Sequence, residues 1–148
     1  MNMWHMHRLQ VYLNSWKPLK ANVWRIQTGC FNRSCGHGRW YRRDSSLVHN
    51  YTNPEDIVLT ADWYWGAYEQ ICGDNHRHLE TYPLFDAELK FNFEGFKAKV
   101  LEVAAKQENV VTIFNSPGNN PTGFSLTDED WDKVIAFAKE LIGNGKNK

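Results

Sequence analysis

Val110-Val111-Thr112-Ile113-Phe114, followed at once by Asn115-Ser116-Pro117-Gly118-Asn119-Asn120-Pro121-Thr122-Gly123, is the stretch whose reading decides the fold. Five residues that are apolar nearly throughout predict a strand covered on both faces, the usual condition of a parallel sheet. The Asn, Pro and Gly run after it predicts a turn that presents the Asn120 amide at the strand's carboxyl end. Open α/β sheets bind their ligands at that end.

The next signal downstream is a helix start. Thr127 caps it, Asp130 three residues on makes a capping-box pattern, and Asp128 and Glu129 favour the positive helix end. Trp131, Val134, Ile135, Ala138, Leu141 and Ile142 then form one apolar stripe, with Gly143 as the stop signal and residues 144–148 as a polar tail.

Upstream, the spacing of Phe96, Val100, Leu101 and Ala104 predicts a helix over about residues 93–107. Leu79 to Leu84 reads as a short strand pushed to the sheet edge by Pro83. Asp56-Ile57-Val58-Leu59-Thr60 reads as a buried strand, and the aromatic-rich segment after it predicts a helix from near Gly66 to the breaker Gly73-Asp74-Asn75. Strands alternating with helices imply an α/β fold with a mainly parallel sheet, flanking helices and right-handed crossovers.

A chain of 148 residues is long enough for one domain and too short for two full ones. Lys plus Arg equals Asp plus Glu at 17 each, so net charge selects no partner. The distribution is uneven, because residues 1–46 hold eight Lys or Arg against the single acid Asp44. No apolar run approaches the roughly 18–20 residues of a membrane span, and the first residues lack a signal-peptide core. A cytoplasmic protein with free thiols at Cys30, Cys35 and Cys72 is therefore expected. Cys30, Cys35 and His37, with His5 and His7, match no usual zinc spacing, so no metal site is expected.

The aromatic cluster Asp62-Trp63-Tyr64-Trp65-Gly66-Ala67-Tyr68 follows the strand at residue 58, and the ends of neighbouring parallel strands converge on one crevice. With that cluster in place, residues 58–140 resemble the large domain of class I, fold type I, pyridoxal-phosphate aminotransferases, the aspartate and aromatic branch above all. The likeness rests on Leu59-Thr60-Ala61-Asp62-Trp63-Tyr64-Trp65-Gly66, Glu80-Thr81-Tyr82-Pro83-Leu84-Phe85-Asp86, Phe91-Asn92-Phe93-Glu94-Gly95-Phe96 and Asn115 to Gly123, four motifs in order.

The resemblance implies pyridoxal 5'-phosphate as cofactor, an amino acid and a 2-oxo acid as substrates, and a homodimer. It implies that Trp65 stacks on the pyridine ring and that Asn120 bonds the phenolic oxygen. Ala67 stands where relatives often carry Asn. The Schiff-base lysine of the family lies beyond the Asn-Pro-Thr-Gly turn, where this chain has only Lys133, Lys139, Lys146 and Lys148, none in a matching motif. No catalytic residue is therefore assigned, cofactor binding is expected to be weak or absent, and the chain alone is expected to be inactive.

The family's glycine-rich phosphate motif is also missing from its place, where the chain reads Gly38-Arg39-Trp40-Tyr41-Arg42-Arg43-Asp44-Ser45. A message such as GGA CGG TGG TAC CGG CGC GAT TCG T encodes that run. Read one base later, it gives one residue and then Gly-Gly-Thr-Gly-Ala-Ile-Arg, the family's motif. Residues 1–46 are thus expected to be an irregular, out-of-frame segment, residues 47–143 a partial large domain, and residues 144–148 a tail. The competing expectation is a non-enzymatic fragment or small interaction protein, with Arg39, Arg42 and Arg43 beside Trp40 and Tyr41 contacting single-stranded nucleic acid through charge and stacking.

Overall fold

The computed structural model describes residues 7–10, 12–14, 27–30 and 37–145, with side chains from Tyr41 to Leu141 apart from Arg43. Three parallel strands form the centre: β4 (Ile57–Ala61), β5 (His78–Tyr82) and β6 (Asn109–Ile113). β4 lies between the other two, pairing Val58 with Leu79 on one side and with Val111 on the other. Helices α2 (Ala67–Asp74) and α3 (Phe93–Ala104) make the connections, so the fold is α/β, as the strand and helix rhythm implies.

Three further strands, β1 (His7–Gln10), β2 (Tyr12–Asn14) and β3 (Gln27–Cys30), precede this unit. β1 and β3 pair antiparallel as a separate ladder, while β2 adds antiparallel to the outer edge of β6, Tyr12 facing Val111. The zinc-like set His5, His7, Cys30, Cys35 and His37 lies, as to its side chains, outside the described residues.

Helix α1 (His37–Tyr51) departs from the expectation of irregular chain up to residue 46. Its last two turns supply the reason, because Leu47 and Val48 are buried against Val58, Ile71 and Val111, and tertiary burial overrides weak local helix signals. Arg77, itself buried, holds the far end. Its Nε donates to Thr52 Oγ1 at 2.8 Å, and Nη2 donates to the carbonyls of Thr52 at 2.5 Å and His49 at 3.3 Å. A cation among the free carbonyls of a helix C-terminus satisfies them and the helix dipole together.

The core divides by sheet face. Leu59, Ala61, Tyr82, Val110 and Phe114 meet Phe96, Val100 and Val103 of α3 and Val134, Phe137 and Ala138 of α4 (Asp128–Gly145). Val58, Val111 and Ile113 meet α1 and α2 on the other side. Two details of the expected stripes change. Leu101 is 45% exposed and Val103 takes its place inside, while Phe137, absent from the expected α4 stripe, is buried. α4 also runs past Gly143 to Gly145. Its start is the expected capping box, with Asp130 N–H donating to Thr127 Oγ1 at 3.2 Å and Thr127 N–H to Asp130 Oδ2 at 3.0 Å. At α3, Asn92 Oδ1 accepts from Gly95 N–H at 2.9 Å, a cap worth about 1 kcal/mol.

Candidate functional site

Parallel alignment of β4 and β6 sets their carboxyl ends side by side, and each is followed by one of the loops singled out in the sequence. Beyond β4, Asp62 anchors the chain in both directions. Its N–H donates to the Tyr82 carbonyl at 2.9 Å and its Oδ1 accepts from Leu84 N–H at 2.9 Å, fixing this loop to the segment after β5. Trp63 then stands 53% exposed, and Tyr64 donates its hydroxyl proton to Glu69, whose carboxylate raises the phenol's pKa. Trp65 is half-buried, its ring edge-on to Tyr68 with centroids 5.8 Å apart and planes at 81°. Its carbonyl accepts from Tyr68 N–H at 2.9 Å, closing the first turn into α2.

The loop beyond β6 holds itself. Gly118 N–H donates to Ser125 Oγ at 2.9 Å, Leu126 N–H to Ser116 Oγ at 3.0 Å, Asn119 N–H to the Phe124 carbonyl at 2.7 Å and Gly123 N–H to the Asn119 carbonyl at 2.6 Å. Gly118 at φ 66° and Gly123 at φ 74° occupy the left-handed region, which a side chain would strain. Within the turn, Asn119 is buried and Asn120 is exposed. Sequence reasoning misses Asn119 because two adjacent asparagines in a turn carry the same local preference. Only the tertiary partner separates them: Asn119 Nδ2 donates to the Trp63 carbonyl and to Thr122 Oγ1, each at 2.9 Å.

The expected site residues are thus placed on neighbouring loops, Trp65 after β4 and Asn120 in the turn after β6. Among the described residues no hydrogen bond engages the Asn120 carboxamide. An open amide and a ring with free area fit the pyridine end of a pyridoxal phosphate. Lys133 and Lys139 are exposed on α4, and Ala67, half-buried at the first position of α2, provides no side-chain donor. Tyr41, expected in the nucleic-acid reading to offer a stacking ring, is engaged through its hydroxyl with Asp74. Among the described residues no group of three metal-ligating side chains gathers, and no helix is long and apolar enough to cross a membrane.

Comparison with known proteins places this geometry in a family. The chain is 29% identical over 99 residues to the aromatic-amino-acid aminotransferase of Paracoccus denitrificans, covering 66% of this chain and 24% of that protein. It is 30% identical over 92 residues to the tyrosine aminotransferase of Klebsiella pneumoniae, covering 60% of this chain and 22% of that one. An aminotransferase structure from Anaerococcus prevotii superposes with a TM-score of 0.67 at 36% identity, over 70% of this chain and 25% of that chain. A pyridoxal-phosphate-bound C-S lyase of Staphylococcus hominis, 24% identical with a TM-score of 0.57, shares the fold. The chain therefore spans about a quarter of the length of the relatives it matches. A family model described as aminotransferase class I and II matches residues 46–143, and the chain belongs to that family.

Proposed function

We propose that this chain is the part of a pyridoxal-phosphate aminotransferase large domain that grips the ring end of the cofactor, and that it does not transaminate by itself. The observation that carries the reading is the placement of Trp65 and the open Asn120 amide on loops at the carboxyl ends of the adjacent parallel strands β4 and β6. When bound, pyridoxal phosphate supplies the electron-accepting ring through which an amino group passes between an amino acid and a 2-oxo acid. Trp65 would keep that ring flat by stacking. The Asn120 amide would donate to the phenolic oxygen and favour its anionic form.

The phosphate end is different. The stretch from Gly38 to Ser45 lies in α1 and carries Arg, Trp and Tyr side chains where the family's glycine-rich phosphate motif is expected, so the close backbone approach that glycines allow is missing. The start of the family match at residue 46 supports reading residues 1–46 as out of frame and residues 47–143 as the partial large domain. Codons in the gene incompatible with the shifted Gly-Gly-Thr-Gly-Ala-Ile-Arg reading would end that idea. A homodimeric parent in the cytoplasm, acting on an amino acid and a 2-oxo acid, completes the proposal.

Incubation with pyridoxal 5'-phosphate, borohydride reduction and peptide mapping test it. The expected result is scattered, substoichiometric lysine labelling without turnover. Stoichiometric labelling of one lysine together with turnover would overturn the inactive reading. Weak, saturable quenching of tryptophan fluorescence by 4'-deoxypyridoxine 5'-phosphate, lost in Trp65→Ala and Asn120→Ala, is expected for ring binding.

A further inference from the structure

We infer that Asn119 is a positioning residue: its side-chain amide latches the Trp65 loop to the Asn120 turn, so that the ring-facing and oxygen-facing halves of the site move as one body. The inference deepens the proposed function and rests on it for the roles of Trp65 and Asn120, but the latch itself is read from the geometry alone.

Within the run from Asn119 to Gly123 only Asn119 is buried, at 5% exposure, while the four residues after it are exposed. A buried carboxamide is costly unless its donors are used. Here Nδ2 uses both protons, one on the Trp63 carbonyl at 2.9 Å across 56 residues of sequence, the other on Thr122 Oγ1 at 2.9 Å within the same turn. Thr122 Oγ1 in turn accepts from Phe124 N–H at 3.1 Å, so the turn-internal bond belongs to a local net that already includes the Asn119 N–H to Phe124 carbonyl bond at 2.7 Å. The bond to Trp63 adds nothing to the turn's own shape. What it fixes is the distance between the two loops.

The two loops are otherwise tied in different directions. Asp62 joins the Trp65 loop to the segment after β5, and Ser116 and Ser125 close the Asn120 turn upon itself. The Trp63 carbonyl is two residues from the Trp65 ring, and the Asn119 backbone is directly bonded to Asn120. A ligand touching both Trp65 and Asn120 would meet a preformed pair of groups, which spares it the cost of ordering them.

Asn119→Asp tests the latch because it keeps the size and replaces the donor with an acceptor facing a carbonyl. Protection from hydrogen exchange in the full chain, taken against intrinsic rates, is expected to fall at least about fivefold at Asp62, Tyr68 and Glu69, whose N–H groups donate to the Tyr82, Trp65 and Gly66 carbonyls, while α3 and α4 keep theirs. Acidification should restore protection, because the carboxyl introduced by the substitution, once protonated, again has a proton to donate. Thr122→Val, which removes only the turn-internal acceptor, should disturb residues 119–124 and leave Asp62, Tyr68 and Glu69 alone. In the wild-type chain the Asn119 Nδ2 protons should exchange more slowly than those of Asn120, a measurement that needs no variant to fold. Affinity for 4'-deoxypyridoxine 5'-phosphate should fall about tenfold in Asn119→Asp. Unchanged protection at Asp62, Tyr68 and Glu69 in the variant, or equally fast amide protons on both asparagines, would overturn the latch. Absence of ligand binding in the wild type with the protection changes intact would instead overturn the ring-binding role.

Discussion

On the side of α3 and α4 the sheet is covered by hydrocarbon and rings, whereas on the side of α1 and α2 a smaller apolar cluster is supplemented by polar pins. Phe96 lies 5.2 Å from the centroids of both Tyr82 and Phe114 and 6.1 Å from that of Phe137, in edge-on or tilted arrangements that aromatic quadrupoles favour. Across the sheet, α1 is held by Arg77 on its terminal carbonyls, by Asn75 Nδ2 on Ser45 Oγ at 2.9 Å and by the Tyr41 hydroxyl on Asp74. Hydrophobic burial is non-directional and tolerates small shifts, while buried hydrogen bonds fix a position and fail together when one partner is lost. The first face holds the fold and the second sets where α1 stands.

Substitutions at the centre of each face should separate these roles. Phe96→Ala is expected to lower global stability by about 3–5 kcal/mol through lost transfer energy and a cavity among five rings. Arg77→Met keeps much of the volume but strands the carbonyls of His49 and Thr52, and is expected to cost about 2 kcal/mol. Denaturant melts give the totals and hydrogen exchange gives the distribution. Phe96→Ala should deprotect every element together, whereas Arg77→Met should deprotect α1 first. Equal exchange patterns for the two variants would erase the distinction between the faces.

Alkaline titration probes the same contrast through ionisation. Burial pushes the Cys72 thiol, on the α1 and α2 face, from its ordinary value of 9.0 to about 11, with the nearby Arg77 charge opposing the shift. Between those values the folded chain holds a proton that the unfolded chain has lost, so stability declines as pH rises through the window, by up to about 1.4 kcal/mol per unit. Tyr82, on the opposite face, is raised above its ordinary value of 10.0 by burial and by the Asp62 charge, so its loss begins one unit later. Melts of the Cys72→Ala variant should show the decline starting near pH 10 rather than pH 9, with the wild-type curve diverging below that point.

What the sequence disclosed follows the same division. β4, β6 and the α4 capping box were legible because each is determined by neighbours in the chain: an unbroken apolar run, or an acceptor three residues from a donor. The four family motifs lie within residues 57–141 and serve both faces, since Tyr64 and Trp65 of the first pack on the α1 and α2 side while Phe91 and Phe96 belong to the other. α1 was not legible, since nothing local announces it and its order comes from Val58, Ile71 and Arg77, all distant in sequence. Leu101 and Phe137 were misassigned because a small rotation of an apolar stripe exchanges residues at its margin, and only the opposing element decides which enter. At the site, Trp65 and Asn120 were legible through motif, but the latch was not. A bond from Asn119 to a main-chain carbonyl 56 residues away leaves no side-chain pattern in the partner to recognise.

The smallest expected effect concerns the connection that leads into the hydrocarbon face. Between β5 and α3 the chain reverses in a tight turn at residues 86–90, closed by Asp86 N–H donating to the Lys90 carbonyl at 2.9 Å and by Asp86 Oδ1 accepting from Glu88 N–H at 2.8 Å and Lys90 N–H at 3.0 Å. Leu89 occupies the left-handed position at φ 61° with 74% of its surface exposed. An L residue pays about 1–2 kcal/mol there, and little burial compensates for it. Leu89→Gly removes that strain while adding roughly 0.5–1 kcal/mol of unfolded-state entropy, leaving a net gain of at most about 1.5 kcal/mol. Because Phe85 and Phe91 at the turn's base belong to or pack on the α3 and α4 cluster, the gain should appear in the global transition rather than in α1 exchange alone. A variant that is less stable than wild type would mean that the Leu89 side chain is held by a contact worth more than its strain, and the hydrocarbon face would then extend to the end of this turn.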